Sequence, residues 1–268
     1  IPTSRFELHQ NMIAFIQLLS LFTDELPRMI SLNFTFSNGR TIEHLSTKRP
    51  KIFDERDALL TYKQIEPYLP TAFKTFYKER EKFSSVLNLI IASVENDTAE
   101  ISFLNITTAF EVIHKYFYEG AGDVTRKDLS SELIEARLIS RDTGKWDQIL
   151  RYHHLFKLIE GIDFFKQNFQ NPIKTISLIR DSRNYYTHYT TTTKEIWTPN
   201  RLLFANKALR SVLKGIILKN LQIPDTLINK LLNNRAGMFF QDYENNEYSL
   251  LFSGKSKSKP EIQTPGDG

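Results

Sequence analysis

The 268-residue chain contains no cysteine at all. That absence excludes disulfides, thiolate nucleophiles and zinc sites built on sulfur, and it fits a reducing, cytoplasmic setting. Long apolar runs are missing too. No window reaches the roughly 18 uninterrupted apolar residues of a membrane span, and no charged-then-apolar leader is visible, so no membrane association is expected. There is no phosphate-cradling glycine loop and no Gly-x-Ser-x-Gly elbow. A large excess of one charge is also lacking: the net +4, a mild excess of base, permits a polyanion partner without demanding one, because clustering matters more than the total. The first residue is Ile1 rather than Met, and residues 1–10 give no lead-in to an element, which implies a chain that starts inside a longer protein.

What is present is mostly helical pattern. Met12, Phe15, Ile16, Leu19 and Phe22 recur at helical spacing and predict a helix from Phe6 to about Leu26, ending before Pro27. Ile30, Leu32, Phe34 and Phe36 then alternate with polar residues, Asn38-Gly39 follows, and Thr41 to Leu45 continues beyond it. An Asn-Gly pair between alternating runs predicts a β-hairpin, since both residues tolerate positive φ. Phe73, Phe76, Phe83, Leu87, Ile90 and Val94 predict one long helix over Thr71–Val94. Further helices are expected around Ile106–Phe117 with Gly120 as the stop, over Lys127–Leu138, over Lys145–Phe169, from Ile173 towards Thr190 behind an Asn171-Pro172 start, and over Asn200–Leu221.

The fold class read from this is mainly α: a helical bundle of about five helices behind a partial mixed α/β region. The divisions are 1–69 for the partial N-terminal α/β domain, 70–94 for a connecting helix, 95–221 for the bundle, 222–253 for a C-terminal extension and 254–268 for a low-complexity tail expected to be disordered.

The segment from Arg180 to Tyr189, RDSRNYYTHY, concentrates chemistry near the end of the helix begun at Pro172. Arg180, Asn184 and His188 are spaced by four and form one ridge. Arg183 precedes His188 by five positions, roughly 140° around the axis, and its length lets the guanidinium swing back towards the histidine. Cleavage of RNA without metal requires such a set. A base takes the ribose 2′-hydroxyl proton, and free imidazole titrates near about 6.5. A guanidinium stabilises charge building on the phosphoryl oxygens. Asn184 can hold the imidazole or a phosphate oxygen. Tyr185, Tyr186 and Tyr189 offer aromatic faces for base stacking beside Arg180, although packing is the expected role of at least one of them. Set against this, Arg, Asn and His on one helix commonly mark a solvated face, and so short a pattern recurs by chance.

The Arg183-Asn184-x-x-x-His188 pattern resembles the signature of the HEPN superfamily, small helical bundles that are often ribonucleases. The wider RDSRNYYTH context, with Phe110-Glu111-Val112-Ile113-His114 on an earlier helix, resembles the ApeA-like branch from bacterial anti-phage defence. The resemblance implies catalytic roles for Arg183 and His188 with Asn184 assisting, a homodimer with two motif helices forming one cleft, and an N-terminal region that senses a phage-derived trigger. It also implies that Glu111 occupies an acidic position able to orient Arg183, against the plainer reading of an exposed helix-surface glutamate. Some members carry a tyrosine two residues after the histidine; this chain has Thr190 there, so functions attached to that tyrosine do not carry over.

Other histidines are read as structural or solvated. His153 and His154 lie about 100° apart on one helix, so they cannot share a metal, and at most one is expected on the core side. Glu111 and His114 could form half of a Glu-x-x-His metal site, but the second half is missing. No metal or cofactor is expected. The alternating charges from Lys78 to Lys82 read as a helix surface, and Lys255, Lys257 and Lys259 as a solubilising tail. The expectation is therefore a metal-independent endoribonuclease with RNA as substrate. Its rivals are a non-catalytic HEPN module that binds RNA or nucleotide and dimerises, and a plain helical interaction domain.

Overall fold

The computed structural model describes residues 13–22, 31–35, 41–45, 62–96, 98–120, 123–189 and 193–240. The first helix, α1, spans residues 13–19, within the predicted Phe6–Leu26; the rest of that expectation lies outside the described residues. Strands β1 (Ser31–Thr35) and β2 (Thr41–Leu45) pair antiparallel, with Ser31 opposite Leu45 and Thr35 opposite Thr41, as the alternating pattern predicts. Asn38 and Gly39 lie outside the described residues, as does the 254–268 tail. Among the described residues this two-stranded pair is the whole of the sheet.

After a short α2 (Tyr62–Ile65), the expected single helix over Thr71–Val94 is two: α3 (Leu69–Lys78) and α4 (Arg80–Glu95), broken at Glu79 with φ −111° and ψ 27°. Aromatic packing accompanies the break: across it the Phe76 and Phe83 rings stack at 5.4 Å, nearly parallel.

Helix α5 (Ala99–Phe117) closes at Tyr118, whose N–H donates to the His114 carbonyl, so the stop precedes the expected Gly120. Helix α6 covers Asp123–Glu135. The expected Lys145–Phe169 helix also divides, into α7 (Gln148–Ile159) and α8 (Asp163–Asn168). Here the break is stabilised from outside: the Asn229 side chain accepts hydrogen bonds from the Asp163 and Phe164 amides at 2.8 and 3.4 Å, capping the new helix start. Phe165 and Phe169 fold back onto Phe156 at 5.2 and 5.5 Å.

Helix α9 (Pro172–His188) starts as the sequence demands, with Asn171 accepting from the Lys174 amide at 3.0 Å and Pro172 in the first turn. Helix α10 spans Pro199–Asn220, close to expectation. A further helix, α11 (Asp225–Phe240), occupies part of the segment expected as an extension. It buries Ile228, Leu231 and Leu232, and Ile228 and Leu232 lie over Gly215 of α10, where a Cβ would stand 3.4 Å from Leu232 Cδ1.

The result is a mainly α-helical bundle. Its core joins Phe103, Ile106 and Phe110 of α5, Leu155 and Phe156 of α7, Ile176 and Ile179 of α9, and Leu209, Val212 and Ile216 of α10. The same core takes in Leu18 of α1 and Phe76 and Phe83 from before residue 95. Helix α1 is tied on by Gln17, which donates to Asn88 at 2.7 Å, and by Lys214, which donates to the Ser20 carbonyl at 3.1 Å. No helix among the described residues is long and apolar enough to cross a membrane.

Candidate functional site

The site grows from the register of α9. Ile176, Ile179, Ser182 and Tyr186 form its buried stripe. The last two of these are polar and both engage Trp197. The Ser182 hydroxyl oxygen accepts from the Trp197 amide at 2.9 Å, and the Tyr186 hydroxyl donates to the Trp197 carbonyl at 2.8 Å. Trp197 is itself buried, edge-on to Phe103 at 5.9 Å. Burial, then the charge of Glu100 and the neighbouring tyrosines, pushes the Tyr186 phenol up to about 12, so it remains a donor. Of the three tyrosines, Tyr186 is the core residue, as expected of at least one.

With that face fixed inward, the next positions around the helix are set. Asn184, His188 and Tyr189 are exposed, and Arg183 and Tyr185 are half-buried. Tyr189 ends the helix in a left-handed conformation at φ 49° and is 70% exposed, its ring 6.1 Å from that of Tyr185. A bulky residue in this region carries strain, held here by the Tyr189 amide donating to the Tyr185 carbonyl.

Arg183 points across the bundle to α5. Its Nη2 lies 3.6 Å from Glu111 Oε1. Glu111 is half-buried with its carboxylate turned towards Arg183, so the expectation of an exposed helix-surface glutamate is corrected. The same oxygen accepts from Gln148 Nε2 at 2.7 Å and from the Tyr152 hydroxyl at 3.3 Å, both on α7. Burial, reinforced by the Glu111 charge, raises the Tyr152 phenol well above its ordinary range. Sequence reading missed Gln148 and Tyr152. Their i, i+4 spacing on a mostly apolar helix was the available signal, but nothing in it named the partner helix.

Arg180 sits on the ridge with Asn184 and His188, yet its fork turns onto its own neighbour. Nε and Nη2 donate to the Asp181 carboxylate at 2.7 and 3.0 Å, and Lys194 adds a contact at 3.2 Å. Burial works to raise the Asp181 carboxyl, but Arg180 and Lys194 outweigh it and hold it below its usual range. An anion recruited by Arg180 would therefore compete with Asp181.

The remaining histidines lie elsewhere. His153 and His154 are both buried, at 3% and 7% exposure, against the expectation that at most one would face the core. Helix α7 is covered on two sides: His153 Nε2 meets Glu132 of α6 at 2.9 Å, and His154 Nδ1 meets His114 Nε2 of α5 at 3.1 Å. Trp146 stacks on His154 at 5.2 Å and 16°. Among the described residues, no group of three His, Cys, Asp or Glu is placed to hold a metal ion.

Searches of curated proteins and of solved structures return no match. A scan of protein families matches residues 104–227, a little under half of the chain, to the family described as Apea-like HEPN. The matched span takes in Glu111, Gln148, Tyr152 and the whole of α9. This helical segment thus belongs to the Apea-like HEPN family.

Proposed function

We propose that this chain is a metal-independent endoribonuclease whose working groups are Arg183, Asn184 and His188. The observation that carries the reading is the end of α9: Arg183 is oriented from below by Glu111, while Asn184, His188 and Tyr189 stand open to solvent within the next turn and a half. Family membership supports an RNase-type or nucleotide-binding module.

In the proposed reaction, His188 accepts the 2′-hydroxyl proton and O2′ attacks the adjacent phosphorus. The Arg183 guanidinium stabilises the charge spreading over the phosphoryl oxygens, and Asn184 holds an oxygen or the imidazole. The 5′-oxygen leaves with a proton from a second acid, supplied by His188 of a second copy docked through α9. The products are a 2′,3′-cyclic phosphate and a 5′-hydroxyl. Tyr185 and Tyr189 supply stacking surfaces for bases, and Arg180 a phosphate contact once freed from Asp181. The biological role proposed is anti-phage defence in the cytoplasm, with the N-terminal region sensing a phage-derived trigger.

RNA cleavage in EDTA by the wild type beside Arg183→Ala and His188→Ala, with end-group analysis, tests the reading. Cyclic phosphate from wild type alone is the expected result. Equal cleavage by all three proteins, or none by any, refutes it. A second reading is favoured by one observation, the Arg183–Glu111 ion pair: Arg183 would be a structural cation in a module that binds RNA or nucleotide and dimerises. On that reading, His188→Ala leaves RNA binding intact and there is no cleavage to lose.

A further inference from the structure

Residues 136–147 join α6 to α7, and this connection is pinned at several places. Arg137, left-handed at φ 57°, turns the chain out of α6, and the Leu138 amide donates back to the Leu133 carbonyl at 2.9 Å. Asp142 then gathers the turn: its carboxylate accepts from the buried Arg126 guanidinium and from the Gly144 amide at 2.9 Å, with Gly144 at φ 73°. Trp146 closes the connection, stacked on His154 of α7 and 4.6 Å from the His114 ring of α5.

The charges of this connection are sorted. Its two acidic side chains are engaged inward, Asp142 by Arg126 and Asp147 by the first turn of α7, where it accepts from the Leu150 amide at 2.9 Å. Its three cations, Arg137, Arg141 and Lys145, are exposed, and none has a side-chain partner among the described residues. Glu135, exposed at the end of α6, sets a single opposing charge beside them. An outward-facing excess of cation on a pinned backbone suits a polyanion, because each phosphate it neutralises releases bound counterions.

Helix α5 serves as a ruler for where this surface lies. Tyr186 of α9 meets it at Phe103, Arg183 at Glu111, and Trp146 at His114. At about 1.5 Å per residue these positions fall about 12 Å and then about 4.5 Å apart. The tip of α9, with His188 and Tyr189, lies beyond Tyr186 at the Phe103 end. Along this axis the basic connection is therefore on the far side of Arg183 from His188. The exposed Tyr189 ring suits an unpaired base, which makes the strand a single one.

We propose that Arg137, Arg141 and Lys145 form a docking surface for the backbone of single-stranded RNA, which runs from the α6–α7 connection past Arg183 to His188. The proposal rests on the function set out above and adds to it the class of substrate: a strand several nucleotides long, held by phosphates other than the one that reacts.

The test compares wild type with a variant combining Arg137→Gln, Arg141→Gln and Lys145→Gln. A control combines Lys63→Gln, Lys74→Gln and Lys230→Gln, which removes three exposed cations from α2, α3 and α11. Binding is measured over a range of salt with a 2′-O-methyl oligouridine of about 20 nucleotides, which has no 2′-hydroxyl to attack. The connection variant should bind about tenfold to a hundredfold more weakly at about 0.1 M salt. The slope of log affinity against log salt should fall by about 2, at about 0.7 per lost phosphate contact. The control should match wild type. Cleavage of the dinucleotide uridylyl-uridine, whose single phosphate is the reacting one, should be unchanged in the connection variant, while cleavage of a long RNA drops. Undiminished binding of the long strand overturns the proposal, as do equal losses in the two variants or a comparable loss on the dinucleotide. If the connection variant does not fold, photo-crosslinking of wild type to a 4-thiouridine strand decides: adducts within residues 137–146 are expected, and their absence overturns the surface. If the wild type cuts neither RNA, the ribonuclease reading fails and the binding series alone judges the docking surface.

Discussion

Lowering the pH should destabilise this bundle through one identifiable ring. His114 is fully buried, and among the described residues its Nδ1 has no hydrogen-bond partner. Its Nε2 shares a hydrogen bond with His154 at 3.1 Å, with Trp146 at 4.6 Å and Tyr118 at 6.1 Å around it. Burial first, then the charges of His154 and Arg151, pushes His114 down to about 3. In the unfolded chain the same ring titrates near about 6.5. The folded-state value is the lower one, so the unfolded state binds more protons between the two. Stability is fully present above about pH 6.5 and is lost as pH falls towards about 3.

At about pH 5 the loss spans about 1.5 units at about 1.36 kcal/mol each, or about 2 kcal/mol, rising to about 3 kcal/mol near pH 4. Those are sizeable fractions of a typical domain's roughly 5–15 kcal/mol. His154 is pushed the same way by burial and by His153, and adds to the slope. Carboxylates also contribute to acid unfolding, so the measurement must be differential. Urea unfolding of wild type and His114→Gln, followed by circular dichroism near pH 7.5 and near pH 5, isolates this ring. The variant starts less stable but should lose about 2 kcal/mol less over the interval. Parallel losses in the two proteins would refute the reasoning, because they would mean that His114 takes up no extra proton on unfolding.

Two other outcomes follow from the end of α9. Tyr186→Phe removes the donor to the Trp197 carbonyl, and urea unfolding should register a loss of about 1–3 kcal/mol for a buried acceptor left unsatisfied. Tyr189→Gly relieves the left-handed strain, so the protein should gain up to about 1 kcal/mol in the same assay. Its affinity for single-stranded RNA should drop at the same time, and a variant that binds RNA undiminished would remove Tyr189 from the proposed stacking surface.

The residues that sequence reading placed best are those whose structure is decided locally. Asn171 and Pro172 start α9 by satisfying or lacking specific amide donors, and the β1–β2 pairing follows from the alternation of Ile30 to Phe36 and the Asn-Gly pair after it; neither needs knowledge of the rest of the chain. The breaks at Glu79 and after Ile159 were not legible, because an apolar stripe runs through each of them. What accompanies them is distant or aromatic: Phe83 stacking on Phe76, and Asn229 capping a helix more than 60 residues earlier. The same limit governed the site. The spacing of Arg180, Asn184 and His188 fixed their shared ridge on one helix. The Glu111–Arg183 contact depends on how α5 is rotated against α9, which spacing within a helix does not encode. His153 and His154 were misjudged for a related reason: a helix with neighbours on two sides has more than one inside. Helix α11 was missed although Ile228, Leu231 and Leu232 carry helical spacing; the segment's length was read as an extension beyond the bundle.

The chain leaves α9 after His188 and, by Trp197, is back in the grip of Ser182 and Tyr186 on that same helix. Both anchors, one on each side of the intervening stretch, thus stand on one rigid post. Insertions or deletions between them change the closure entropy only slowly with length and exert no leverage on the post itself. Changes of length or charge between those two anchors therefore leave the groups proposed to do the cutting in their places.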